Sequence, residues 1–184
     1  EPGFEKAFQA MQQLEAGAVA NPDEQRQVGH YWLRTPELAP SEAIRDHVAQ
    51  EIDQIEQFGK DVLSGAIKSP CGKPFTDVLW IGIGGSGLGP MLMVRALKRP
   101  NSGLPFHFFD NVDPDGMSTV LAGLGDRLRT TLVVTVSKSG GTPEPHIGME
   151  QARLRLDAVG GSWPEQAVAI TMADSKLDQQ ASQQ

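Results

Sequence analysis

Twice in this chain a short apolar run ends in a glycine-rich turn that leads straight into a helix-like stretch: VLWIGIGGSGLGP at 78–90 and LVVTVSKSGGTPEP at 132–145. A run of four to six β-prone residues followed by a turn and a helix is the unit from which parallel sheets are built, because the next strand can be reached only over a crossover. From about residue 76 onward the chain keeps to that alternation. The pattern predicts strands over 78–83, 106–109, 132–136 and 167–171, each apolar enough to be buried on both faces. Helices are predicted over 90–98, 114–124 and 144–159. Right-handed crossovers would place them on both sides of the sheet and bring the turns after the strands to one edge, where a binding crevice is expected.

The first seventy-five residues follow a different pattern. Phe4, Phe8, Met11 and Leu14 recur at four- and three-residue steps, which predicts a core-facing helix ended by Asn21-Pro22-Asp23. The segment 28–40 mixes aromatics with two prolines and reads as an irregular packed connector. Ser41 then precedes a second helix with an apolar stripe at Ile44, Val48, Ile52, Ile55 and Val62. The expected fold class is therefore α/β: a three-layer α/β/α sandwich with a mainly parallel sheet over 76–184, preceded by a helical N-terminal extension over 1–75.

Composition narrows the function. A formal net charge of −7 opposes approach to nucleic acid or an anionic membrane surface, yet local N–H groups can still hold one small phosphate. Cys71 is the single cysteine and reads as an ordinary loop thiol; with only four scattered histidines there is no zinc-like spacing, so no metal is expected. The polar, acidic first twenty residues do not resemble a targeting peptide and no long apolar run occurs, so a cytoplasmic setting is expected. The chain starts without methionine and stops in the helix-like KLDQQASQQ, so both ends are expected to be cut from a longer protein.

In the first turn, Gly82, Gly84, Gly85 and Gly87 let the backbone bend sharply and approach a ligand, and Ser86 adds a hydroxyl at a helix start that favours anions. Gly82, Gly84 and Gly87 also satisfy a dinucleotide fingerprint, with Asp110 where a ribose-binding acid would stand, so this turn alone leaves both ligands open. The second turn favours a phosphate. It gathers Ser137, Lys138, Ser139 and Thr142 around Gly140-Gly141 before a helix, hydroxyls and amides that make an anion cradle a nicotinamide fold does not need. Thr142 and Pro143 also read as an N-cap and first helical residue.

TDVLWIGIGGSGLGP resembles the glycine-serine loop of phosphoglucose isomerases, VSKSGGTPEP their phosphate-binding loop, and DNVDPDG at 110–116 the segment between them. VGHYWLR upstream and AVAITMADSKLDQQA downstream resemble the bacterial and plastid branch. The glycine pair in SKSGGT departs from the animal-type loop, which is bulkier there. The resemblance implies a sugar-isomerase (SIS) domain and interconversion of glucose 6-phosphate and fructose 6-phosphate, through ring opening and proton transfer by way of an enediol(ate), with no cofactor. It implies that Gly85, Ser86, Ser137, Lys138, Ser139, Gly140, Gly141 and Thr142 hold the sugar phosphate. It also implies that Glu144 orients a histidine supplied by a neighbouring subunit of a homodimer. The family's acid/base residues and second SIS domain would lie beyond Gln184, so no catalytic residue is assigned here and the isolated chain is expected to be inactive. His30, His47, His107 and His146 are not expected to be catalytic. A non-catalytic sugar-phosphate-binding module and an NAD-binding oxidoreductase are the other readings, with isomerases of amino sugars or ketose phosphates nearby.

Overall fold

The computed structural model describes residues 2–99 and 103–183. Two compact units divide the chain, Glu1–Lys60 and Asp61–Gln184. In the first, helix α1 (Pro2–Glu15) forms at the predicted place. Its apolar stripe does not face a core: Phe4, Phe8 and Met11 are exposed, and Trp32 is the one buried side chain among the described residues of this unit. The physical reason is that the unit, a two-stranded hairpin, a connector and most of a second helix besides α1, encloses no core among its described residues for that stripe to enter. The hairpin, β1 (Val19–Asn21) and β2 (Arg26–Gln27), closes where Asn21 Oδ1 accepts the N–H groups of Asp23 and Glu24 at 3.1 and 3.2 Å. Trp32 anchors the connector by donating its indole N–H to the Glu15 carbonyl at 3.1 Å, satisfying a carbonyl at the end of α1. Helix α2 (Glu42–Ser64) starts as expected after Ser41, whose Oγ accepts the Ile44 N–H at 3.3 Å. Ile44, Val48 and Ile52 are half-buried, but Ile55 is exposed.

The second unit is the α/β fold. Along the chain it runs β3 (Asp77–Ile81), α3 (Gly85–Leu97), β4 (Phe106–Phe109), α4 (Pro114–Leu124), β5 (Thr131–Val136), α5 (Pro143–Ala158), the short α6 (Trp163–Gln166), β6 (Ala167–Ile170) and α7 (Lys176–Ala181). The four strands form one parallel sheet in the order β4-β3-β5-β6. Only the inner strands β3 and β5 are buried on both faces. The edge strands β4 and β6 are half-covered and Ile170 is exposed, because an edge strand has a neighbour on one side only.

One face of the sheet packs Leu79, Ile81 and Val133 against Met117, Leu121 and Leu124 of α4 and Met149, Ala152 and Leu156 of α5. Gly148 lets α5 approach closely: a Cβ there would stand 2.9 Å from Ile81 Cγ2. The opposite face packs Val78, Leu132 and Val134 against Phe75 and Val62 of α2. The β3-to-β4 crossover runs in the opposite direction along the sheet from the other two, so right-handedness puts α3 on this second face and completes three layers. That layer is thin: Leu88, Leu92, Met93 and Leu97 of α3 are exposed.

The end of the sheet away from the glycine turns is held by a buried carboxylate. Asp77, 1% exposed, accepts from His107 Nε2 at 2.9 Å, Arg127 Nη1 at 2.7 Å and Thr76 Oγ1 at 2.8 Å. Three donors on one buried acid offset much of its desolvation and tie β3 to β4 and to the 3-10 turn Gly125–Thr130.

Candidate functional site

Ile81, the last residue of β3, pairs with Thr135 of β5, which ends at Val136, so the two turns leave adjacent parallel strands at the same edge of the sheet, one residue apart in register. The first turn is held by backbone crossing itself. A Cβ on Gly82 would lie 2.7 Å from the Ser86 carbonyl oxygen, one on Gly87 would collide with the Gly82 carbonyl, and Gly84 adopts φ +56°. These three glycines have reasons within the turn, which explains the dinucleotide-like spacing without a nucleotide. Gly85 has none: it is exposed, a Cβ there would meet nothing within 4 Å, and its φ is not left-handed.

α3 begins at Gly85, five residues before the expected start, and takes Pro90 into its interior. Proline has no N–H, so the Ser86 carbonyl loses its helical partner four residues on. Trp80 of β3 replaces it, donating its indole Nε1–H to Ser86 O at 2.8 Å. The β3 side chain thereby fixes the peptide that carries the Ser86 hydroxyl.

The second turn is built on a buried hydroxyl. Ser137, 5% exposed, accepts the Gly140 N–H on its Oγ at 3.1 Å, and Ser139 Oγ accepts the Gly141 N–H at 3.2 Å. Gly140 is left-handed at φ +65°, and a Cβ there would collide with the Leu177 backbone nitrogen; Gly141, like Gly85, is exposed and meets only Ser139 Oγ at 3.5 Å. Lys138, Ser139 and Thr142 are exposed. Thr142 is the N-cap of α5 and Pro143 its first residue, but the Thr142 side chain makes no cap bond, leaving its hydroxyl for another partner. Glu144 lies half-buried in the first turn of the same helix. A hollow of about 10 Å³ lies against this turn, walled by Thr135, Ser137, Gly140, Thr142, His146 and Gln180. Gly85 and Ser86 are not among its walls. Of the histidines, His107 is committed to Asp77, and His30, His47 and His146 are exposed.

Against known families, the model of phosphoglucose isomerase matches residues 4–181. The chain belongs to the phosphoglucose isomerase family. Glucose-6-phosphate isomerase of Parasynechococcus marenigrum is 76% identical over 183 residues, 100% of this chain and 33% of that protein. That of Synechococcus sp. strain CC9605 is 74% identical over 98% of this chain and 34% of its own length. Among solved structures, a glucose-6-phosphate isomerase from Chlamydia trachomatis superposes with a TM-score of 0.79 at 31% identity, covering 94% of this chain and 34% of that one. The chain thus spans about a third of the length of these phosphoglucose isomerase relatives.

Two parts of the site escape a reading by motif. The Trp80 bond needs the knowledge that α3 starts before Pro90, which a proline seven residues beyond Ile83 argues against. The turn Thr171–Leu177 lies 30 residues past the phosphate-type loop in sequence, yet bonds it directly: Met172 N–H donates to Lys138 O at 3.2 Å and Lys176 N–H to Ser139 O at 3.3 Å. The segment AVAITMADSKLDQQA carries this turn, and its Ser and Thr look like surface residues until the fold is seen.

Proposed function

We propose that this chain supplies the phosphate-gripping part of an aldose–ketose isomerase that interconverts glucose 6-phosphate and fructose 6-phosphate in the cytoplasm. The observation that carries the reading is the pair of glycine-hydroxyl turns on adjacent parallel strands, each ending in an exposed glycine that its own turn does not require. Family membership and the isomerase activity for which the relatives are named support it. Ser137, Ser139 and Thr142 hold the phosphate with hydroxyls and amides, Gly140 and Gly141 keep the backbone accessible, Lys138 adds positive potential, and Gly85 and Ser86 offer further amide and hydroxyl groups from the turn after the adjacent strand β3. Gripping a phosphate remote from the reacting carbons fixes those carbons without touching them, and such positioning supplies several kcal/mol towards the barrier.

In this reading 1–75 is a helical extension, 76–184 is an incomplete SIS domain, and the proton-transferring groups come from polypeptide outside these 184 residues. Glu144 orients the histidine of a neighbouring subunit in a homodimer by accepting its ring N–H. The test has two arms. Titrating the chain with fructose 6-phosphate should shift the amide resonances of Ser139, Gly140 and Gly141, and an unmoved loop at tens of millimolar ligand would sink the proposal. In the complete isomerase, Thr142→Ala should raise KM about tenfold with a smaller change in kcat, as expected for loss of one hydrogen bond to a charged phosphate. Glu144→Gln should lower kcat, and unchanged turnover would remove its role. Isomerisation by the purified 184-residue chain would overturn the assignment of the acid/base groups elsewhere.

A further inference from the structure

The turn between β6 and α7 touches the second glycine turn at every residue from Lys138 to Gly140. The Lys138 carbonyl accepts two bonds, from the Met172 N–H at 3.2 Å and from Thr171 Oγ1 at 3.4 Å; the Ser139 carbonyl accepts the Lys176 N–H at 3.3 Å; Gly140 lies against the Leu177 backbone nitrogen. A trans peptide is planar with its C=O and N–H pointing in opposite directions. Drawing the Lys138 carbonyl into the β6–α7 turn therefore aims the Ser139 N–H away from it, and drawing the Ser139 carbonyl the same way directs the Gly140 N–H to Ser137 Oγ, where it is found at 3.1 Å.

The hydroxyls define a relay with one direction. A carbonyl only accepts, so Thr171 Oγ1 donates to Lys138 O and must accept from its other partner, Ser175 Oγ, 2.6 Å away. Ser175, 9% exposed, then donates to Thr171 and accepts the Asp178 N–H at 3.1 Å, capping α7. Asp174 between them is left-handed at φ 60°, a strained state for a residue with a side chain, held by its N–H to Asp178 Oδ2 at 2.8 Å and by its carbonyl accepting Gln179 Nε2 at 3.0 Å.

We infer that Thr171 and Ser175 are positioning residues for sugar-phosphate binding: through the Lys138 carbonyl they set the direction in which the Ser139 amide meets the phosphate. This rests on the proposed phosphate role of the 137–142 loop. Neither residue touches the ligand; both act through the backbone of the loop.

The test uses the 184-residue chain and two probes, inorganic phosphate and fructose 6-phosphate, with amide shifts of Ser139 and Gly140 as readout and thermal unfolding as fold control. Thr171→Val removes the hydroxyl at constant shape and should weaken both probes about tenfold, the scale of one misaligned hydrogen bond to a charged group. Thr171→Ser restores the hydroxyl and should bind within about twofold of the parent, a rescue that a packing role for the threonine methyl would not give. If Thr171→Val does not fold, Ser175→Ala, which breaks the relay one bond earlier, carries the same comparison. Equal affinity of parent and Thr171→Val, or failure of Thr171→Ser to rescue, overturns the inference while leaving the phosphate site intact. If the parent's loop amides respond to neither probe, the phosphate reading itself fails and the positioning role falls with it.

Discussion

At the scale of single residues, the glycines separate into those the chain needs and those only a ligand would need. Gly87 and Gly140 each have backbone where a Cβ would go, so Gly87→Ala and Gly140→Ala should lower stability by about 1–3 kcal/mol, read by urea unfolding, with ligand affinity falling as the turn shifts. Gly85 and Gly141 have open space and ordinary φ. Gly85→Ala should therefore keep the melting temperature or raise it slightly, since alanine at a helix start reduces the freedom of the unfolded chain by about 0.4–1 kcal/mol, while weakening fructose 6-phosphate binding. A Gly85→Ala chain that is both stable and unimpaired in binding would show that nothing approaches that glycine. The four glycines look equivalent in the one-letter string; what distinguishes them is where the Gly82 carbonyl and the Leu177 backbone end up. Cys71 offers a residue-scale check of the local geometry. The Ser69 hydroxyl, with Sγ at 3.1 Å, holds this exposed thiol below its usual pKa, aided by the Lys73 backbone and the positive charges of Arg129 and Lys73. Alkylation by iodoacetamide should have its midpoint below that of a free cysteine and move up in Ser69→Ala.

At the scale of elements, periodicity and turn chemistry were sufficient wherever an element's own residues decide its ends. β4 and α4 coincide with the expected 106–109 and 114–124, and α4 is bounded by Asp113, whose carboxylate accepts the Gly116 N–H at 2.9 Å, and by Gly125 at φ 52°. Where a distant side chain intervenes, the boundary moved: α3 extends back to Gly85 because Trp80 satisfies the carbonyl that Pro90 abandons. Trp80→Phe keeps the ring and deletes that donor, leaving a carbonyl without its partner. It should cost about 1–2 kcal/mol and loosen the Ser86 peptide, visible as faster hydrogen exchange in the first turn of α3. No stability loss would mean that water serves that carbonyl equally well. Burial of the edge strands was overestimated for a related reason, since a run of apolar residues does not say how many neighbours it will have. The opposite end of the sheet depends on Asp77, which the sequence shows only as an acid before a strand. Asp77→Ala removes the acceptor that joins His107, Arg127 and Thr76 and should destabilise the second unit by about 3 kcal/mol, discounted because Arg127 is half exposed.

At the scale of the whole molecule, the exposed apolar surface is as informative as the core. Phe4 and Phe8 on α1, and Leu88, Leu92, Met93 and Leu97 on α3, lie open in a chain of formal net charge −7. A stripe at helical spacing fixes which face of a helix is apolar but not whether that face is buried, which is why α1 has the periodicity of a core-facing helix and yet exposes Phe4, Phe8 and Met11. For α3 the consequence can be measured. Leu88 and Leu92, and Met93 and Leu97, are each four residues apart and so neighbours on the helix surface, and contiguous apolar patches bind hydrophobic dyes and drive association. The 184-residue chain should therefore enhance the fluorescence of anilinonaphthalene sulfonate while its near-ultraviolet circular dichroism remains that of a packed protein, a combination that separates an open surface from a molten core. Leu92→Glu places a charge on the patch but breaks no packing, so it should reduce dye binding several-fold with a stability change within about 0.5 kcal/mol. If the same substitution instead unfolds the chain, α3 is packed through that face after all, and the thin second layer described for the sheet is thicker than its exposure indicates.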